Sequence, residues 1–206
     1  MIAIIDYGMG NLASVAKALK YLNYESVITS DPTVIESASG VILPGVGAFA
    51  PAMENLKSKG LDNVIIDSAF SGKPFLGICL GMQLLMDGSK EGVNLGSAMG
   101  DYVPGLGIIP GRVRRFDNGD LKVPQIGWNR LVDCKGSLLT EGDYVYFVHS
   151  YYCQPEHMED AAGYAEYGIK YCCAIERDNV FATQFHPEKS GEAGLQILNK
   201  FAMRTR

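Results

Sequence analysis

The sequence predicts an α/β fold: a parallel sheet with helices on both faces, joined to a strand-rich section. Three observations predict it. Over the first 90 residues, short apolar runs alternate with helical patterns. Those runs are apolar throughout, as strands buried on both faces must be. From Arg112 onward, strand-like runs follow one another with little helical period until the last stretch.

In chain order, Ile2 to Ile5 form a short apolar strand. Asn11 can cap a helix that carries Leu12, Val15, Ala16, Leu19 and Leu22 on one side. Glu25 to Thr29 read as a second strand and Gly40 to Leu43 as a third, followed by the loop Pro44-Gly45-Val46-Gly47. Phe49 to Lys59 and Leu61 to Phe70 read as helices. Pro74 to Ile78 form an apolar strand that runs into Cys79 and a helix over Leu80 to Met86. Glycines and prolines crowd residues 88–110, which reads as a long loop of functional character. Arg112 to Phe116, Asp143 to Tyr152, Tyr171 to Glu176 and Val180 to Gln184 are candidate strands, with a turn at Asp178-Asn179 between the last two. A helix over Gly191 to Met203 closes the chain. No internal repeat or linker interrupts this order, so residues 1–206 read as a single domain.

Composition narrows the function. A chain of 206 residues buries roughly 70–75% of its unfolded surface, enough for a core without disulfides or metals. The net charge of −5 argues against a nucleic-acid footprint. The basic cluster Arg112, Arg114 and Arg115 reads as a solvated strand face. Five cysteines, an odd number with no C-x-x-C pair, disfavour a disulfide framework or a cysteine zinc site. Adjacent Cys172 and Cys173 point opposite ways on a strand. A reducing, cytoplasmic setting fits this usage. The opening MIAIIDYGMG has no basic lead and no long apolar stretch, and it reads as a strand rather than a signal peptide. No run of 18 apolar residues exists, so no membrane span is expected.

The strongest local signal is Gly77-Ile78-Cys79-Leu80-Gly81-Met82-Gln83. A strand ends at Cys79 and a helix begins at once. A nucleophile on such a turn takes strained backbone angles and projects clear of the sheet. Gly77 and Gly81 supply the small residues that the crowded turn needs. The helix dipole favours thiolate, and the Leu80 amide faces a developing oxyanion. The competing reading is a buried structural cysteine.

His186-Pro187-Glu188 supplies a base and its orienter directly after a strand. In an extended segment His186 and Glu188 face one side. Glu188 can then hold the imidazole in the tautomer that accepts a proton from sulfur. The His-x-Glu pattern also opens a zinc deaminase signature, but the Pro-Cys-x-x-Cys it needs is missing. A surface turn is the other alternative. His149 sits at a strand end, and His157 lies in a polar loop.

Two glycine-rich segments compete for roles. Pro44–Gly47 follows the third strand, and its glycines let backbone amides turn toward a substrate, a second oxyanion donor. Gly8-Met9-Gly10-Asn11-Leu12-Ala13 follows the first strand and resembles a dinucleotide fingerprint, with Asp31 near the position of a ribose-binding acid. A nucleotide-binding module therefore remains one reading, and a thiol peptidase another.

The elbow at Cys79 together with His186-Pro187-Glu188 resembles the class I, triad-type glutamine amidotransferases, in motif and in order along the chain. Finer marks resemble the branch of that family that serves histidine biosynthesis: Asp6–Asn11, Pro44–Gly47, Pro124-Gln125-Ile126-Gly127-Trp128-Asn129, His149-Ser150-Tyr151 and Lys189. Branches serving anthranilate or guanylate synthesis are the alternative. The resemblance implies a flavodoxin-like, mostly parallel sheet with helices on both faces and an added antiparallel strand section. It implies a catalytic triad of Cys79, His186 and Glu188, with Leu80, Val46 and Gly47 forming the oxyanion hole. Glutamine would lie against Gly45, Gln83, His149, Ser150 and Tyr151. The implied partner is a (β/α)₈-barrel cyclase that receives ammonia and forms a heterodimer, with Gly10, Asn11, Gln125, Trp128 and Lys189 at or near the contact. No metal or organic cofactor is implied.

Overall fold

The structure is a computed structural model and describes residues 1–92, 102–116 and 121–206. Its parallel half holds β1 (Ile2–Ile5), β2 (Ser26–Thr29), β3 (Gly40–Gly45) and β4 (Phe75–Cys79). The interleaved helices are α1 (Leu12–Tyr21), α2 (Pro32–Ser37), α3 (Phe49–Ser58), α4 (Leu61–Phe70) and the short α5 (Leu80–Leu84). The remaining strands are β5 (Met86–Ser89), β6 (Val103–Pro104), β7 (Ile109–Arg115), β8 (Gln125–Arg130), β9 (Tyr144–His149), β10 (Tyr151–Pro155), β11 (Ala161–Tyr167), β12 (Ile169–Arg177) and β13 (Val180–Thr183). Helix α6 (Gly191–Met203) follows.

The main sheet runs β2-β1-β3-β4-β13-β12-β10-β7-β5-β6, with β11 paired to β12. Strands β2, β1, β3, β4 and β13 are parallel. That is the flavodoxin-like order 2-1-3-4-5, with β13 in fifth place. From β13 the sheet continues antiparallel through β12, β10 and β7. Strands β8 and β9 form a separate antiparallel ribbon.

Alternating side chains divide the core into two layers. Ala3, Ile5, Val41 and Leu43 face the layer built by α2, α3 and α4. Ile2, Ile4, Ile42 and Leu76 face α1 and α6, with Val145 and Phe147 of the ribbon. Each fully buried Ile, Leu or Phe stabilises the fold by roughly 1.5–3 kcal/mol. Cys172 and Cys173 fall in opposite layers, as their adjacency on a strand requires. No helix among the described residues is long and apolar enough to cross a membrane.

Several elements differ from the sequence expectation. Helix α2 was not anticipated; Asp31 caps it by accepting a hydrogen bond from the Thr33 amide at 2.9 Å, with Pro32 at its start. Asn11 occupies the cap position of α1 but makes no capping bond; its side-chain nitrogen instead reaches Glu188. Strand β3 extends through Pro44 and Gly45, so only Val46 and Gly47 of the expected loop lie beyond it. Helix α5 stops at Leu84, since Met86 already pairs with Ile109 in the sheet. Parts of the expected loop over 88–110 are strand (the end of β5, β6 and the start of β7), while residues 93–101 lie outside those described. The run Asp143–Tyr152 is two strands in two sheets, broken at Ser150, whose carbonyl accepts from the Phe116 amide at 3.1 Å. Strands β8 and β11 were also missed. Gly127 and the Ala-Ala-Gly start of β11 carry little β-propensity, and pairing with neighbours overrides it.

The order of the sheet reverses between β1 and β3. In open α/β sheets a crevice forms there, beyond the carboxyl ends of the strands. The turn after β1, the loop after β3 and the end of β4 all meet at this edge.

Candidate active site

Cys79 ends β4 with φ 55° and ψ −108°, left-handed angles that a β-carbon strains. The flanking glycines are explained by space. A β-carbon on Gly81 would overlap the Leu43 carbonyl, and one on Gly77 would lie 3.0 Å from the Gly81 oxygen. The sulfur sits 4.0 Å from the Val148 carbonyl and 3.7 Å from Gln184 Nε2. The five-residue α5 makes a smaller dipole than the longer helix expected from sequence.

His186 and Glu188 meet as expected, by a different route. Pro187–Lys189 is a 3₁₀ turn, not an extended segment. Pro187 presets φ for that turn, which curls the Glu188 carboxylate back to His186. His186 Nδ1 lies 2.8 Å from Glu188 Oε1, and both side chains are 1% exposed. Nδ1 therefore carries the proton in the neutral ring, leaving Nε2 basic and buried without another hydrogen-bond partner. Burial lowers the His186 pKa, but the influence of neighbouring Cys79 and then of Glu188 outweighs it, up to about 9. The turn is clamped by the His186 amide on the Tyr146 carbonyl at 3.0 Å and by Ser190 Oγ on the His186 carbonyl at 2.6 Å. A β-carbon on Gly194 would overlap the Pro187 carbonyl, so α6 packs directly beneath.

The two glycine-rich segments touch each other. A β-carbon on Gly10 would lie 3.4 Å from the Pro44 oxygen, and one on Gly47 would lie 2.6 Å from Met9 Cε. Gly45 has no room for a side chain between Tyr7 Oη and Leu80. Gly47 has φ +106°, a conformation suited to glycine. Asn11 Nδ2 donates to Glu188 Oε1 at 3.4 Å. The dinucleotide reading loses its acid, because Asp31 is committed to capping α2.

These groups line one cleft of about 380 Å³, within the ordinary range for small-molecule sites. Cys79, Leu80, Gln83, Val46, Gly47, His186, His149, Ser150 and Tyr151 line it. Glu91 also lines it and was missed in the sequence. Its Oε2 accepts from the Phe49 amide at 3.0 Å. Burial raises its pKa against that hydrogen bond. Nothing periodic marks Glu91; only the β5 strand that precedes it brings it to the cleft.

His149 is buried and does not face the cleft as an acid or base. Its Nδ1 donates to the Tyr151 carbonyl at 2.7 Å, and its Nε2 lies 3.3 Å from Tyr171 Oη. Burial lowers its pKa from 6.5 to about 4. Below pH 6.5 the unfolded chain takes a proton that the native ring refuses. Stability therefore falls as pH drops from 6.5 to 4, by on the order of 3 kcal/mol from this residue. His186 acts in the opposite window: its contribution is complete below pH 6.5 and is lost as pH rises through about 9. Urea unfolding of wild type and His149→Gln across pH 4 to 6.5 checks this. The variant should show the shallower loss, and parallel curves would contradict it.

Of the residues expected at a partner contact, Trp128 is 56% exposed and Lys189 is exposed, beside exposed Ile126 and Tyr144. Gln125 is instead buried, because strand alternation turns Ile126 and Trp128 outward and Gln125 inward. Its Oε1 accepts from Tyr171 Oη at 2.9 Å. Among the described residues no cluster of three or more His, Cys, Asp or Glu is placed to hold a metal ion.

An elbow thiol facing an imidazole–carboxylate pair at the end of a flavodoxin-like sheet defines a class of thiol-dependent hydrolase. The family model for glutamine amidotransferase class-I matches residues 3–205. The chain is 48% identical to imidazole glycerol phosphate synthase subunit HisH of Methanothermobacter thermautotrophicus, over 98% of this chain and 97% of that protein. It is 50% identical to the protein of the same name from Moorella thermoacetica, over 97% and 93%. A crystal structure of a glutamine amidotransferase shares the fold, with TM-score 0.74 and 18% identity over 98% of this chain and 100% of that one. So does PurLQS from Thermotoga maritima, with TM-score 0.70 and 16% identity over 97% and 96%. The chain belongs to the class-I glutamine amidotransferases and, within them, to the family of imidazole glycerol phosphate synthase HisH subunits.

Proposed function

We propose that residues 1–206 form one glutamine amidotransferase domain that hydrolyses glutamine and delivers the ammonia to a (β/α)₈-barrel cyclase. The observation that carries this reading is the strained Cys79 beside a buried His186–Glu188 pair in one cleft. The Cys79 sulfur attacks the side-chain amide carbon of glutamine. Leu80 N–H and an amide of the Val46–Gly47 loop receive the oxyanion. His186, oriented by Glu188, passes the sulfur's proton to the departing nitrogen, which leaves as ammonia. Water then attacks the glutamyl thioester with His186 as base, releasing glutamate and restoring the thiol. Glu91 and the backbone of His149–Tyr151, which line the cleft, would hold the amino-acid head group. A reducing, cytoplasmic compartment suits a free nucleophilic thiol.

The partner would dock on the exposed face of the β8–β9 ribbon and the adjoining turn after β1. Both lead directly to the triad. Tyr146 of β9 accepts from the His186 amide, and Asn11 donates to Glu188. The Val46–Gly47 loop packs on Met9 and Gly10 of the turn. A glycine-bearing loop can hold more than one amide orientation, so docking can select the competent one. One missing oxyanion donor typically costs ~10²–10³ in turnover. Glutamate release at saturating glutamine should therefore rise by at least that order when the liganded cyclase is added. An isolated chain that matches the complex in rate would overturn the regulated reading.

A further inference from the structure

The short α5 adds little to what His186 gives the sulfur as its proton departs. We propose that Gln184 is a further catalytic residue, whose side-chain amide donates a hydrogen bond to the Cys79 sulfur and holds it as thiolate. This rests on the reading of Cys79 as nucleophile. Gln184 is fully buried at the end of β13, and its Nε2 lies 3.7 Å from the sulfur.

The network fixes which end of the amide faces sulfur. The Tyr151 carbonyl has only lone pairs, so the Gln83 amide must turn its nitrogen there, at 3.2 Å. The second N–H of Gln83 meets Gln184 Oε1 at 3.0 Å. That leaves the Gln184 nitrogen for Cys79. Flipping Gln83 would set its oxygen against the Tyr151 carbonyl, and flipping Gln184 would set N–H against the Gln83 N–H. His149 Nδ1 donates to the same Tyr151 carbonyl at 2.7 Å and holds it in place. Tyr171 and Gln125 extend the chain into β8.

The sulfur's two polar contacts suit its two charge states. The neutral thiol donates to the Val148 carbonyl, 4.0 Å away. The thiolate has nothing to donate and is repelled by that carbonyl. It accepts instead from Gln184, in a buried site where charge-assisted hydrogen bonds strengthen. Loss of the proton thus swings sulfur from one contact to the other, and Gln184 defines where it waits.

The test is the pH profile of iodoacetamide alkylation, mapped to the Cys79 peptide, in the full chain with and without its partner. Gln184→Met matches the length and removes the donor. Its profile should move to higher pH, with alkylation at neutral pH slowed about tenfold or more. Glutamine turnover should fall in kcat while KM holds. Gln184→Asn keeps the amide but falls short of the sulfur, so it should match Gln184→Met and serves if that variant does not fold. A folded variant whose profile superimposes on wild type overturns the proposal. Alkylation and substrate-analogue labelling on another cysteine would instead overturn the nucleophile assignment beneath it.

Discussion

Cys79→Ala should abolish glutamine-dependent synthesis by the complex with the proposed cyclase and leave synthesis from ammonium salts intact. The loss should be complete, because no other thiol can substitute. Burial pushes the Cys153 and Cys173 thiols well above their ordinary value. Burial likewise raises Cys172 to about 12. Burial and then Glu141 raise Cys134 to about 11. Only Cys79 stands on an elbow, lines the cleft and shares it with His186. Ammonia-dependent synthesis should survive, because the proposed partner's chemistry would need ammonia and not the thiol. If both activities vanish together, Cys79 is structural or the partner is misassigned.

His186→Ala should lose at least ~10²–10⁴ in glutamine hydrolysis, the usual range for general acid–base catalysis. The ring carries a proton through both half-reactions, so its removal affects acylation and thioester hydrolysis alike. Glu188→Gln should lose less. The amide oxygen can still accept from Nδ1, but the charge that favours imidazolium is gone. Glu188 helps raise the His186 pKa to about 9, so without it His186 deprotonates at lower pH. The variant's loss of imidazolium on the alkaline side should therefore begin earlier than in wild type. Steady-state glutamate release across pH 6 to 10 measures both effects. Wild-type rates in both variants would refute the assigned roles.

The site was legible in the sequence wherever chemistry is local. Gly77-Ile78-Cys79-Leu80-Gly81 announces an elbow because only glycine fits against Leu43 and across to Gly81. His186 and Glu188 were paired by spacing, though the pairing geometry is a 3₁₀ turn. The parallel strands were readable because their runs are apolar on both faces. What lay hidden depends on long-range pairing. Gln184 reaches the sulfur only because β13 lies beside β4. Glu91 reaches the cleft only because β5 pairs with β7. The break at Ser150 follows from two sheets competing for one apolar run, which no local pattern records. Gln125 was placed at a contact by resemblance, whereas the period of β8 turns it inward.

The most direct measurement is covalent trapping with a diazo-ketone analogue of glutamine, followed by peptide mass mapping of the full chain. The account predicts one added mass increment, on the peptide that holds Cys79, and none in Cys79→Ala. Labelling on Cys134, Cys153, Cys172 or Cys173, or equal labelling of the Cys79→Ala chain, would contradict it.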